Sequence, residues 1–134
     1  MKPSFILILR AAGVYNLAFG LLLAFYPHSS FHRLGMPETP DIMIQALGMM
    51  VGVYGLAYWI AGSDPVKYWP LVAVGAVGKT LGPIGFAVGL AKGAFLWKSA
   101  PMFVFNDLIW WWPFWAILLR AWRHEPHALR RILL

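Results

Sequence analysis

Cysteine is absent from the 134 residues. That excludes thiol redox chemistry, disulfides, iron–sulfur clusters and cysteine-held zinc. Charge is scarce as well. Asp, Glu, Lys and Arg together make up 12% of the chain, against about 25% in a typical soluble domain. Apolar residues make up 60%, a deviation in the direction of a membrane protein. What charge there is sums to +6. It collects at the ends of apolar runs and in the C-terminal stretch, which points to orientation and anionic lipid rather than to nucleic acid.

Four hydrophobic runs fill most of the chain, at 5–26, 42–61, 71–91 and 102–122. Each is close to the ~20 residues that an α-helix needs to cross a bilayer. The expectation is an all-α, polytopic membrane protein: one domain over 1–134, built as a four-transmembrane-helix bundle. The first run is read as a retained span. Arg10 interrupts it, and Phe25-Tyr26-Pro27 follows it instead of a small-residue cleavage site. The segment 28–36 reads as a short interfacial helix, capped by Ser29 or Ser30, with Phe31 and Leu34 dipping into the headgroup layer. Its His28 and His32, at i and i+4, are either half a metal site or two interfacial histidines, and no third ligand accompanies them. The basic tail 123–134 reads as a surface helix. Seven Lys and Arg lie on the side of the termini and the 2–3 connector, and three (Arg33, Lys92 and Lys98) on the other. This places both termini in the cytoplasm.

Glycine is the most patterned residue. Gly13 and Gly20 share a face of the first span with Asn16. Gly48-x-x-x-Gly52, with Gly55 and Gln45, stripes the second. In the third span, Gly75, Gly78, Gly82, Gly85, Gly89 and Gly93 recur every three or four residues, suggesting one face of nearly bare backbone. Gly82-Pro83 interrupts it with a helix-bending residue. Tyr58 and Trp59 read as interface anchors. Trp110, Trp111, Trp112 and Trp115 are either bulky packing against the glycine face or the wall of an apolar pocket.

Two charges stand inside spans, Lys79 in the third and Asp107 in the fourth. A charge at that depth is expensive, so each needs a partner or a purpose. At ~1.5 Å per residue the two Cα atoms differ in depth by about 9 Å, which a lysine stem nearly covers. With Asn106, Asn16 and Gln45 they form a candidate polar cluster in the outer half of the bundle. Two readings remain open. The cluster is a structural network that fixes helix register, or it closes the polar end of an apolar cleft lined by Gly78, Gly82, Pro83, Trp111 and Trp115. That cleft would take a small amphiphile such as a quinone or lipid. The alternative from another class is a non-catalytic accessory or structural subunit, docked on a membrane-protein partner or on copies of itself. No catalytic residue and no metal site is assigned.

Gly13, Asn16 and Gly20 in the first span, the Tyr26-Pro27 end, and a short segment before a glycine-striped second span resemble the DoxX-like group of small four-helix bacterial membrane proteins. GKTLGPIGF and NDLIWWWPF look like the signature of a narrower subgroup. The resemblance covers almost the whole chain. It implies a four-helix bundle in the bacterial inner membrane and, in a few members, quinone-coupled oxidation of small sulfur compounds beside another subunit. No catalytic residue of that group maps onto this chain.

Overall fold

A computed structural model describes residues 2–124. Most of the segment read as a basic surface helix, 125–134, lies outside the described residues. Four helical spans are long and apolar enough to cross a membrane, and the described residues contain no strand. The first is α1, Pro3–Phe25. A seven-residue helix follows, α2, Pro27–Arg33. The second and third spans are α3, Asp41–Ala61, and α4, Trp69–Ala91. The fourth is composite. A 3₁₀ turn at Trp97–Ser99 leads into α5, Ala100–Phe103. A wide π turn at Val104–Leu108 then feeds α6, Ile109–His124.

Punctuation in the sequence explains these bounds. Proline stands in the first turn of α1, α2, α4 and α5, where its missing N–H costs nothing. Asp41 sits in the first turn of α3, where its charge suits the helix dipole. Two glycines close helices in the left-handed conformation, Gly35 at φ 67° and Gly93 at φ 72°. Around each, the two following-turn N–H groups bond back to the last carbonyls: Met36 to Phe31 and Gly35 to His32, Ala94 to Gly89 and Gly93 to Leu90. These are Schellman ends, which a residue with a Cβ adopts only under strain.

The spans form a closed ring in which α1 packs on α3, α3 on α4, α4 on the π turn and α6, and α6 on α1. The α1–α3 contact is the closest. A Cβ on Gly13 would come within 2.8 Å of the Gly55 carbonyl, and one on Gly20 within 2.5 Å of the Gly48 carbonyl. The two antiparallel helices therefore touch backbone to backbone at two points seven residues apart. Within Gly48-x-x-x-Gly52 only Gly48 must lack a Cβ: the Gly52 backbone also lies against Gly20, but a Cβ on Gly52 would meet nothing within 4 Å. Gly48 and Gly55 carry the contact because seven residues return almost to the same helix face, whereas four overshoot it.

The main core gathers Leu9, Ala12, Tyr58, Val72, Phe114 and Leu118. A second cluster joins Leu23, Phe31 and Ile44. Phe31 is thus part of the packing between α1, α2 and α3, not an anchor in the headgroup layer. Neither Ser29 nor Ser30 caps α2, whose N-cap is Tyr26. Proline at position 27 starts the helix three to four residues earlier than a cap at Ser29 or Ser30 would. That leaves Ser30 inside it, buried, with its hydroxyl donating to the Leu22 carbonyl at 3.4 Å. At the same end of the bundle the two connectors are tied together by Ser99, whose hydroxyl donates to the Gly35 carbonyl at 2.7 Å. Large apolar side chains such as Leu7, Val53 and Trp112 face outward, a surface suited to lipid.

Candidate functional site

Lys79 and Asp107 meet. The ammonium Nζ lies 3.6 Å from Asp107 Oδ1, with both side chains almost fully enclosed. Its short contact is with a neighbour: Nζ donates to the backbone carbonyl of Asn106 at 2.5 Å. The Asn106 amide in turn donates to Asp107 Oδ1 at 3.0 Å. Across the bundle, Nζ stands 5.8 Å from the centre of the Tyr58 ring, within cation–π range. A lysine held by a carbonyl, a carboxylate and an aromatic face is stabilised on three sides.

The π turn is what presents these acceptors. Asn106 and Asp107 both lie in it. Wide turns form where a side chain competes with the backbone ladder for a carbonyl, and they concentrate at functional sites. Two side chains take carbonyls of this turn: Lys79 takes that of Asn106, and the Trp110 indole donates to that of Phe105 at 3.1 Å. The helices meet in antiparallel register, with Gly75 against Phe114 and Gly82 against the Asp107 carboxylate. Gly82 is required at its position, because a Cβ there would run into the carboxylate. Lys79 therefore lies three residues, about 4.5 Å, from the level of Asp107 rather than about 9 Å. The depth inferred from sequence was too large because the fourth span starts at Trp97, several residues before 102.

Of the other expected members, Asn106 belongs to the cluster. Asn16 is buried on the face of α1 that carries Gly13 and Gly20, and its Oδ1 has no hydrogen-bond partner. Gln45 is elsewhere. Its amide donates to the Ala24 carbonyl at 3.2 Å, one of the last carbonyls of α1, which have no partner within their own helix.

The expected cleft needs a larger correction. Gly78 is exposed and Gly82 is filled by Asp107. The glycine stripe of α4 is split: Gly75, Gly82 and Gly89 face neighbours, while Gly78 and Gly85 point into open space. A step of three residues falls about 60° short of a full turn, so the two sets lie on different faces. Gly93 lies beyond the helix, in its Schellman end. Trp111 and Trp115 are tied to α4 instead. Both indole N–H groups donate to the Thr80 hydroxyl, at 2.9 and 3.1 Å, and that hydroxyl donates to the Ala76 carbonyl at 2.8 Å. An apolar cleft does exist farther along α4. It measures about 280 Å³ and is lined by Pro83, Phe86, Ala87, Leu90, Phe103 and Leu108 among others. Of the five expected lining residues only Pro83 takes part.

Thr80 and Tyr58 were not singled out as site residues. For Thr80 the available signal was its place beside Lys79 with tryptophans on the facing span. Tyr58 sat too close to a span end to be told from an interface anchor, yet it is 3% exposed. His28 and His32 stack with ring centres 6.5 Å apart. Among the described residues no group of three or more His, Asp or Glu is arranged to hold a metal. No protein-family model matches the chain, and neither a curated protein nor a solved structure shows significant similarity to it.

Proposed function

We propose that this is an integral membrane protein of DoxX-like type, with both termini cytoplasmic, that holds a small amphiphile in the cleft between α4 and α5. The observation that supports this most is adjacency. Pro83 and Leu108 line the apolar cleft, and each is the immediate chain neighbour of a residue in the buried contact between Gly82 and Asp107. A ligand with its apolar part in the cleft would have its polar part near Asp107 and Asn106, whose Oδ1 is buried without a partner. A cleft of about 280 Å³ is at the small end of ligand sites, which run from about 300 Å³. That favours one ring or a short tail, such as a quinone head or the end of a lipid chain.

Native mass spectrometry of gently extracted protein tests this. The wild type is expected to carry a small molecule, and Ala100→Trp, which fills the cleft from its α5 side, to lose it while staying folded. Equal retention by both, or none by the wild type, contradicts the reading. The accessory-subunit alternative has its own support in an open groove of about 340 Å³ between α3 and α4, lined by Tyr54, Val77, Gly78 and Leu81. It expects a co-purifying membrane-protein chain and no small molecule in the same spectrum.

The orientation is tested by cysteine labelling. Ser30 and Ser99 are buried, so the outer-side cysteines belong at the exposed Ser29 and Ala94, and the inner one at Ser63. The first two are expected to react with an impermeant maleimide in intact cells, and Ser63→Cys only after lysis. The reverse pattern would invert the topology.

A further inference from the structure

We infer that α1 and α2 form a binding site for one anionic glycerophospholipid, separate from the α4–α5 cleft. Two hollows share a wall. One, of about 480 Å³, runs along the outer surface of α1 and is lined by Ala18, Leu21, Leu22, Phe25 and Tyr26. The other, of about 390 Å³, is lined by Leu22, Tyr26, Ser29, Ser30, Arg33 and Leu34. Leu22 and Tyr26 belong to both, so the two hollows adjoin at the end of α1. The first is apolar apart from the Tyr26 hydroxyl. The second adds the Ser29 hydroxyl and a guanidinium.

The chemistry of the two ends differs as the two ends of a phospholipid do. From Ala18 to Tyr26 the groove follows α1 for about 12 Å, along side chains that face outward, which suits an acyl chain. At Tyr26 the span ends and the chain turns into α2, the level at which headgroups lie. There Arg33 is exposed, and among the described residues it has no carboxylate partner. A guanidinium recognises a phosphate with paired donors, and the Ser29 hydroxyl supplies a further one. Lys98 adds positive charge to the same end of the bundle, because its stem packs on Gly35, two residues from Arg33. A cation without an ion-pair partner at the mouth of an apolar groove selects an anionic amphiphile over a neutral one. The inference rests on the membrane reading of the chain and is independent of the ligand proposed for the α4–α5 cleft.

The test is titration of delipidated protein in a non-ionic detergent, read by native mass spectrometry. The probes are phosphatidylglycerol, a diacylglycerol with the same chains, and inorganic phosphate. Phosphatidylglycerol is expected to bind about tenfold more tightly than diacylglycerol, and Arg33→Gln to remove most of that difference, as the loss of one charge-assisted contact does. Arg33→Lys should restore part of it. Ala18→Trp, which blocks the groove, should weaken both lipids alike. Gly52→Ala, whose methyl would meet nothing within 4 Å, should leave phosphatidylglycerol binding unchanged. Equal binding of the two lipids overturns the inference, as does an Arg33→Gln variant that binds like wild type. Full competition by inorganic phosphate at similar concentration also overturns it, since the site would then read an anion and not a lipid. Arg33 is solvent-facing, so its variants are expected to fold. A failure of the membrane reading itself would appear earlier, as protein that needs no detergent to stay in solution.

Discussion

Gly20→Leu is expected to prevent the bundle from assembling. The first carbon of any side chain at this position would come within 2.5 Å of the Gly48 carbonyl oxygen, 2.6 Å of the Gly52 nitrogen and 2.9 Å of its Cα. All three are backbone atoms, so no rotamer change relieves the clash. The helices would have to move apart, and the matching contact of Gly13 with Gly55 and Trp59 would open with them. Overpacking of an ordinary core costs about 1–3 kcal/mol and sometimes more; two backbones forced apart along a shared seam belong at the upper end or beyond. The expected result is loss of the monodisperse peak in size-exclusion chromatography and of a cooperative thermal transition. Gly52→Ala, Gly78→Ala and Gly85→Ala are the controls. Each places its new methyl in open space and is expected to change stability by no more than about 0.5 kcal/mol. A damaging Gly52→Ala beside a tolerated Gly20→Leu would mean that α1 and α3 pack through the other register.

Lys79→Met is expected to be the most destabilising single change that alters no backbone contact. It removes the cation facing Asp107 and the donor to the Asn106 carbonyl together. A buried ion pair adds little net stability over apolar packing. Removing one partner is different: it strands the other charge, at about 3–5 kcal/mol. Asp107→Asn should cost less, since the amide keeps its hydrogen bonds and Lys79 keeps the Asn106 carbonyl and the Tyr58 ring. Both effects are measurable as shifts in thermal unfolding in detergent, read by tryptophan fluorescence.

The spans, and the pairing of Lys79 with Asp107, were legible because both are local signals. One is the length of an apolar run, the other a lone charge inside it. The rest depended on how helices rotate and slide against each other, which a single sequence does not display. The glycines of α4 read as one stripe, and only contact with Phe114, Asp107 and Phe95 separates Gly75, Gly82 and Gly89 from Gly78 and Gly85. Trp111 and Trp115 could be packing or the wall of a pocket, and only the structure shows the hydroxyl of Thr80 taking both indoles. The π turn had no composition of its own; its carbonyls are taken by Lys79 from another helix and by the Trp110 indole. Gln45 went to a helix end, where unpaired carbonyls attract any donor in reach. In the α2 segment the signal was present in Pro27, whose place at the first helical position moves the start and buries Ser30 and Phe31.

The joint role of Lys79 and Asp107 is tested most directly by a double-mutant cycle. Lys79→Met, Asp107→Asn and the double variant are unfolded under the same detergent conditions and compared with wild type. A pair held in one network predicts that the double variant loses less than the two single losses combined, by about 1 kcal/mol or more. Strictly additive losses, or a neutral Lys79→Met, would contradict the pairing and with it the register that sets Asp107 against Gly82.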